Sequence, residues 1–240
     1  MTAQLDPQLN VVPDTIRHIH IMGVCGTGMA AIAGMLKESG YRVTGSDQNV
    51  YPPMSDFLAQ AGIEVMQGYV PENLEPHPDL VIVGNVIQAV FPEAQQLAEL
   101  GIPYLSMPQA LSHFFLDGEK PKKSFVVAGT HGKTTTSSLL ATTLHRAGCA
   151  PSFLIGGIVE AFGQNYRLDK GEYFVVEGDE YDTAFFNKVS KFLHYRPHFA
   201  ILTSIEFDHA DIFADLEEIK ESFTRFVNLI PENGALIACT

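Results

Sequence analysis

With 240 residues, 46% of them apolar and 18% charged, the chain has the balance of a globular protein that buries a core, and room for two ordinary domains. Its formal net charge of -13 excludes a general nucleic-acid binder, whose phosphate contacts need clustered Lys and Arg. An anionic ligand must therefore meet a local device, such as a glycine loop or a helix N-terminus. Three widely spaced cysteines, Cys25, Cys149 and Cys239, fit neither a disulfide framework nor a zinc cluster, and point to a reducing, cytoplasmic compartment. The first residues lack the basic start and apolar run of a secretory signal. In the least charged stretch, 19–36, His20 and several glycines argue for a strand, loop and helix instead of a membrane span.

Apolar runs and amphipathic stretches alternate from the start. The pattern predicts a strand over 18–22, a helix over 27–39, a strand over 41–45, a helix over 54–61, a buried strand over 79–84, a helix over 93–100 and a short strand over 103–106. This βαβ rhythm implies an α/β fold with a doubly wound parallel sheet. Residues 116–123 (LDGEKPKK) break it with charge, Gly and Pro, which places a boundary between a domain over 1–116 and another over 117–240. The second domain is expected to have strands over 124–128, 173–177, 199–204 and 235–239, with helices over 133–147 and 215–229. A domain that stops on a strand is expected to be incomplete.

The first strand leads into Gly23-Val24-Cys25-Gly26-Thr27-Gly28-Met29-Ala30-Ala31. Glycines there let the backbone pass close to a ligand, and the helix N-terminus offers N–H groups to a diphosphate. Gly26-x-Gly28-x-x-Ala31, with Asp47 about 20 residues on to meet a ribose hydroxyl, supports NAD as well as any other nucleotide diphosphate. Cys25 has no base beside it and reads as a small packed side chain.

The strongest signal is Val127-Ala128-Gly129-Thr130-His131-Gly132-Lys133-Thr134-Thr135 after a strand and before a helix: a nucleoside-triphosphate site. Loop N–H groups can cradle phosphate oxygens, Lys133 can neutralise the β and γ phosphates, and the Thr134 hydroxyl can reach Mg²⁺. Val127 stands where the usual pattern has its first glycine, with Gly129 offering a shorter loop. Two acidic stretches, around Glu177 and around His209, each end a predicted strand, the edge of a parallel sheet where ligands bind. Glu177 and His209 are thus placed to meet a metal near Thr134. His20, His113 and His198 read as structural, and Phe185 to Phe192 as a core or lid segment.

Taken together, GVCGTGMAA, GSDQN, AGTHGKTTT, EGDEYD and EFDHADIF resemble the Mur ligase family, in order and at comparable spacing over essentially the whole chain. The resemblance implies a Rossmann-like UDP-binding domain, then a P-loop ATPase α/β domain cut short at residue 240, with a C-terminal ligase domain beyond it. It implies that Gly26, Thr27, Gly28 and Met29 hold a UDP-sugar, with Asp47 and Asn85 nearby, and that Gly129, Thr130, His131, Gly132, Lys133, Thr134 and Thr135 hold ATP. Lys133, Glu177 and His209 take catalytic roles, Thr134, Glu177 and His209 bind Mg²⁺, and His131 contacts the substrate carboxylate.

SDQNVYPPMSD, EYDTAFFNKVSKFLHY and EFDHADIF look like the branch that adds the murein tripeptide L-alanyl-γ-D-glutamyl-meso-diaminopimelate to UDP-N-acetylmuramate. The branch that adds L-alanine typically carries a DESDASF-type segment. Two departures stand out. Gln88-Ala89-Val90-Phe91 replaces a more polar stretch, and the place of a carbamylated lysine used by some branches falls near Thr224, with Lys220 the nearest lysine. The expected partners are the UDP-sugar and the tripeptide, with no nucleic acid and no membrane; protein partners are not legible. Alternatives are an L-alanine ligase, a non-catalytic module that binds UDP-sugar and ATP, and an NAD-dependent oxidoreductase built on the first loop.

Overall fold

Strands that are apolar on both faces fit only a parallel sheet covered by helices on both sides. The computed structural model, which describes residues 2–118, 120–206 and 215–239, contains two largely parallel sheets, one in each of two compact units.

The first unit comprises Met1–Ala110 with Thr183–Lys188. It runs β1 (His18–Met22), α1 (Thr27–Glu38), β2 (Arg42–Asp47), α2 (Met54–Gln60), β3 (Glu64–Gln67), β4 (Leu80–Val83), α3 (Pro92–Leu100) and β5 (Tyr104–Ser106). The strands are parallel in the order β3-β2-β1-β4-β5. The chain therefore reverses its direction of travel across the sheet between β1 and β4, which opens a crevice at their C-terminal ends. Every residue of α1 from Met29 to Leu36 is buried, and its small side chains, Ala30, Ala31, Ala33 and Gly34, let the helix lie close on the sheet. Pro92 starts α3 and Gly101, at φ 62, ends it, each in its favoured place. Four-residue β3 is the one strand of this sheet that the sequence pattern does not show; it is too short and too partly buried to display a period of two.

Beneath this crevice lies a buried polar cluster. His20 on β1 is fully buried, its Nε2 2.8 Å from Glu93 Oε1 and its Nδ1 2.9 Å from the Thr44 hydroxyl. Glu93, at the start of α3 and equally buried, also accepts from the Ser46 hydroxyl at 2.8 Å and from Asn73 Nδ2 at 3.3 Å. His20 is thus structural: it ties β1, β2 and α3 together.

The second unit comprises Leu111–Asp182 and Val189–Thr240. A short helix α4 (Met107–Leu111) continues as a wider turn over Ser112–Leu116. Then follow β6 (Lys123–Ala128), α5 (Lys133–Arg146), β7 (Ser152–Val159), β8 (Gln164–Arg167), β9 (Tyr173–Gly178), the small hairpin β10 (Asp182–Ala184) and β11 (Asn187–Ser190), whose residues Thr183–Lys188 are counted with the first unit, β12 (Phe199–Leu202), α6 (Leu216–Val227) and β13 (Ala235–Ala238). The main sheet has the order β13-β12-β6-β9-β7-β8, parallel except for the β7–β8 pair. Asp215 caps α6 by accepting from Glu218 N at 3.0 Å. Strands β7 and β8 and the β10–β11 hairpin lie outside the sequence expectation. Gly156 and Gly157 lie inside β7, and the register of β7 against β8 shifts between Leu154 and Val159.

The aromatic run divides. Phe185 and Phe186 pack on the first unit's core, Phe186 edge-on to Tyr104 at 4.8 Å, whereas Phe192 is fully buried against Phe223 and Phe226. Among the described residues, no helix is long and apolar enough to cross a membrane.

Replacing Glu93 with Ala strands a buried imidazole, a hydroxyl and an amide, so the first unit is expected to lose roughly 3–5 kcal/mol of stability. Glu93→Gln, which keeps an acceptor at the same place, should lose distinctly less. Urea denaturation of the two variants checks this, and equal losses would show that the hydrogen-bonding role is misassigned.

Candidate functional site

In the first unit a cleft of about 530 Å³ opens at the C-terminal ends of the strands. Of the residues expected to bind a UDP-sugar, Gly26, Thr27, Met29, Asp47 and Asn85 line it; Gly28 does not, and faces Met107 instead. Gly26 is the N-cap of α1 and supplies no side-chain cap, and the start of the helix opens on this cleft. The last residues of β2 hold the loop in place. Ser46 O accepts from Gly23 N at 2.8 Å and from Val24 N at 3.1 Å. Asp47 accepts from Cys25 N and Asn49 N, both at 2.9 Å. One Asp47 oxygen thus braces the loop backbone at Cys25 and the other the turn at Asn49, a role that its place 20 residues after the loop does not reveal.

Sequence reasoning also missed Tyr69, which stacks on Phe91 with ring centroids 5.0 Å apart, both on the cleft wall. Burial, with Asp47 nearby, pushes the Tyr69 hydroxyl up to about 12, which keeps it a neutral donor. Gln88 and Phe91, from the stretch that departs from the family pattern, line the same wall.

In the second unit the loop after β6 is clamped to the end of β12. Thr130 N donates to Ser204 O at 2.8 Å, the Thr203 hydroxyl donates to His131 O at 2.5 Å, and Glu206 N donates to the Thr130 hydroxyl at 2.9 Å. Gly129 has φ +127, and a Cβ there would overlap Thr203 and the Ser204 backbone, so only glycine fits. Val127, in place of the usual first glycine, is a fully buried residue of β6, so the loop is the shorter one that starts at Gly129. Gly132 is the N-cap of α5; Thr134 and Thr135 in its first turn are exposed. Lys133 Nζ donates to Gly129 O at 2.7 Å and to both oxygens of Glu180 at 3.0 Å. His131 is exposed, with Nε2 3.9 Å from Glu206.

Glu177 ends β9, paired in register with Val127 of β6. Its carboxylate accepts from the Thr134 hydroxyl and from Gly156 N, yet burial still pushes its pKa up. Its Oε1 is buried with no hydrogen-bond partner. The fold thus brings Thr134 and Glu177 together across 43 positions of sequence; His209 lies outside the described residues. Among the described residues no group of three or more His, Cys, Asp or Glu could hold a metal ion. A hydroxyl beside an unsatisfied carboxylate oxygen nevertheless is a donor set that suits a hard, oxygen-preferring cation whose other positions are filled by phosphate and water.

Gly156 and Gly157 were not singled out from the sequence. A Cβ at Gly156 would sit 3.0 Å from Glu177 Oε2, and one at Gly157 3.0 Å from Thr134 Cγ2, so the pair lets β7 close on the site. Nothing in EGDEYD says which acid turns toward the lysine, and the structure gives that place to Glu180. Lys220 pairs with Glu217 at 2.6 Å on an exposed face of α6.

Burial and the charge of Asp47 push the Cys25 thiol from 9.0 to about 11. The folded chain holds that proton where the unfolded chain releases it, so Cys25 contributes stability below pH 9 that is lost as pH rises toward 11. At pH 8.5 iodoacetamide should label the exposed Cys239 roughly tenfold or more faster than Cys25, followed by peptide mass spectrometry. Equal rates would place a reactive thiolate in the glycine loop.

Comparison with known proteins agrees with this geometry in both units. Residues 18–118 match the model described as "Mur ligase family, catalytic domain", and residues 127–240 match "Mur ligase middle domain". The chain is 48% identical over 219 residues to the UDP-N-acetylmuramate--L-alanyl-gamma-D-glutamyl-meso-2,6-diaminoheptandioate ligase of Escherichia coli K12, covering 91% of this chain and 47% of that protein. It is 38% identical over 226 residues to a UDP-N-acetylmuramate--L-alanine ligase of Arthrobacter sp., covering 94% and 46%. A crystal structure of UDP-N-acetylmuramate:L-alanyl-gamma-D-glutamyl-meso-diaminopimelate ligase from Neisseria meningitides superposes with a TM-score of 0.88 at 45% identity, over 93% of this chain and 71% of that one. The chain spans about half the length of the curated relatives it matches. With adjoining family models matched in order and a solved relative superposing over nearly all of it, the chain belongs to the Mur ligase family.

Proposed function

We propose that this chain works in a cytoplasmic, ATP-dependent ligase that joins L-alanyl-γ-D-glutamyl-meso-diaminopimelate to UDP-N-acetylmuramate in peptidoglycan recycling. The observation that carries the chemistry is the contact between Thr134, in the first turn after the phosphate loop, and Glu177, whose buried Oε1 lacks a partner. The choice of tripeptide over L-alanine is supported by 48% identity to a ligase named for the former against 38% to one named for the latter. Mur ligases use ATP as co-substrate.

In this reading residues 1–116 take the UDP-sugar and 117–240 take ATP, and a further domain, for which the relatives' greater length leaves room, binds the incoming amine. Gly26, Thr27, Gly28 and Met29 present the start of α1 to the diphosphate, with Asp47 bracing the loop and Asn85 facing the sugar. The N–H groups from Gly129 to Thr135 cradle the triphosphate, and Lys133 offsets the charge on the β and γ phosphates. Thr134 and Glu177, with His209 as a further ligand, hold Mg²⁺, which when bound neutralises phosphate charge and aligns the transferring group. His131 orients the lactyl carboxylate. A carboxylate oxygen of UDP-N-acetylmuramate attacks the γ-phosphorus and ADP leaves; the peptide amine then attacks the acyl carbon, loses a proton and expels phosphate.

Calorimetry on this chain is expected to show binding of UDP-N-acetylmuramate, unchanged by Lys133→Ala, while the same substitution weakens ATP binding by about tenfold or more, the scale of a lost charge-assisted contact. Loss of both affinities, or of neither, would sink the division of labour. Tripeptide and L-alanine offered separately to the full-length ligase decide the amine.

Glu177→Gln should raise the Mg²⁺ concentration needed to support ATP binding, because it removes an anionic ligand from a site otherwise filled by neutral and phosphate oxygens. An unchanged Mg²⁺ requirement would remove Glu177 from the metal site.

A further inference from the structure

Glu180 has no part in the chemistry above, yet among the described residues it makes the closest approach of any carboxylate to the phosphate-loop lysine. It is 4% exposed and sits between β9 and β10, with Oε1 and Oε2 each 3.0 Å from Lys133 Nζ. An ammonium has three N–H donors. Gly129 O, at 2.7 Å, and the two Glu180 oxygens occupy all three, with Thr130 O a fourth acceptor at 3.3 Å. No N–H of Lys133 remains for a phosphate oxygen until one of these acceptors yields.

Gly129 O is the wrong group to move. Its residue is wedged against Thr203 and Ser204, and the next N–H is bonded to Ser204 O. Glu180 lies beyond the end of β9, in the segment before β10, so its carboxylate sits on a side chain that can rotate while the Gly129 carbonyl is fixed by the backbone. Leaving is unfavourable by itself, because a buried ion pair broken on one side strands a charge. Only an anion that pairs at least as strongly with Lys133 can take its place.

Resting on the nucleotide reading of this loop, we infer that Glu180 is a resident counter-ion that stands where phosphate oxygens go. A polyphosphate binds by exchanging with its carboxylate on Lys133, so Glu180 sets the affinity of the loop and raises the charge a ligand must bring. Glu180 is in this sense a residue that determines specificity for polyphosphate.

The test is calorimetry with ATP and with inorganic tripolyphosphate on the chain and on its Glu180→Gln and Glu180→Asp variants. Glu180→Gln removes the competing charge and is expected to bind tripolyphosphate roughly ten- to a hundredfold more tightly, as expected for one charge-assisted contact. Glu180→Asp, which keeps the charge, should stay much nearer the parent chain. Thermal melts should show Glu180→Gln below the parent without ligand and gaining more when tripolyphosphate is added. In the unsubstituted chain, the carbon-13 signal of the Glu180 carboxylate should move when tripolyphosphate binds, a readout that needs no variant to fold once the signal is assigned. Unchanged or weaker binding by Glu180→Gln, or a carboxylate signal that stays put while tripolyphosphate binds, overturns the exchange and leaves the nucleotide reading standing. Failure of the chain and both variants to bind either ligand overturns both.

Discussion

A buried parallel strand that turns within four residues into a helix puts unpaired N–H groups at the edge of a sheet, and both units of this chain depend on holding that turn rigid. Each does so with the end of the neighbouring strand. In the first unit Ser46 O and the Asp47 carboxylate, at the end of β2, take the N–H groups of Gly23, Val24 and Cys25. In the second, Thr203, Ser204 and Glu206 beyond β12 bond to Thr130 and His131. Loop N–H groups that are spoken for fix the shape of the turn.

In the proposed function, that arrangement is what would let a chain of net charge -13 hold anions. The attraction is local: aligned peptide dipoles at two helix starts, and one ammonium, Lys133. Carboxylates stand close to the second loop, and each carries a different cost. Glu177 is buried with one oxygen unsatisfied, so its charged form is disfavoured until a cation arrives. Glu180 is buried too, but its charge is matched by Lys133. The loop thus has beside it acids whose charges are compensated to different degrees: Glu180 by a direct ion pair with Lys133, and Glu177 by two hydrogen bonds that leave its Oε1 without a partner.

The first unit places its polar investment lower, under the cleft. Glu93 gathers His20, Ser46 and Asn73 from β1, β2 and the turn before β4, and Ser46 holds the glycine loop through its own carbonyl. A fully satisfied buried network of this kind rigidifies what rests on it. The wall of the cleft itself is aromatic, from Tyr69 stacked on Phe91.

Most strands of both sheets, the two glycine-rich loops and the meeting of Thr134 with Glu177 were legible in the sequence, because each rests on local rules. Buried parallel strands read as apolar runs, glycine marks turns that no side chain permits, and acids at strand ends share one edge of a sheet. The family followed from the order of those motifs. Tertiary structure alone decided that Asp47 braces a loop, that Glu180 and no other acid of EGDEYD faces Lys133, and that Tyr69 meets Phe91 across 22 positions. It also decided that Gly156 and Gly157 belong to a strand beside Glu177 and Thr134, and that His20 answers Glu93. Direction within a loop and partnership between distant side chains depend on how strands register and helices pack, and no short-range pattern of residue types carries that information.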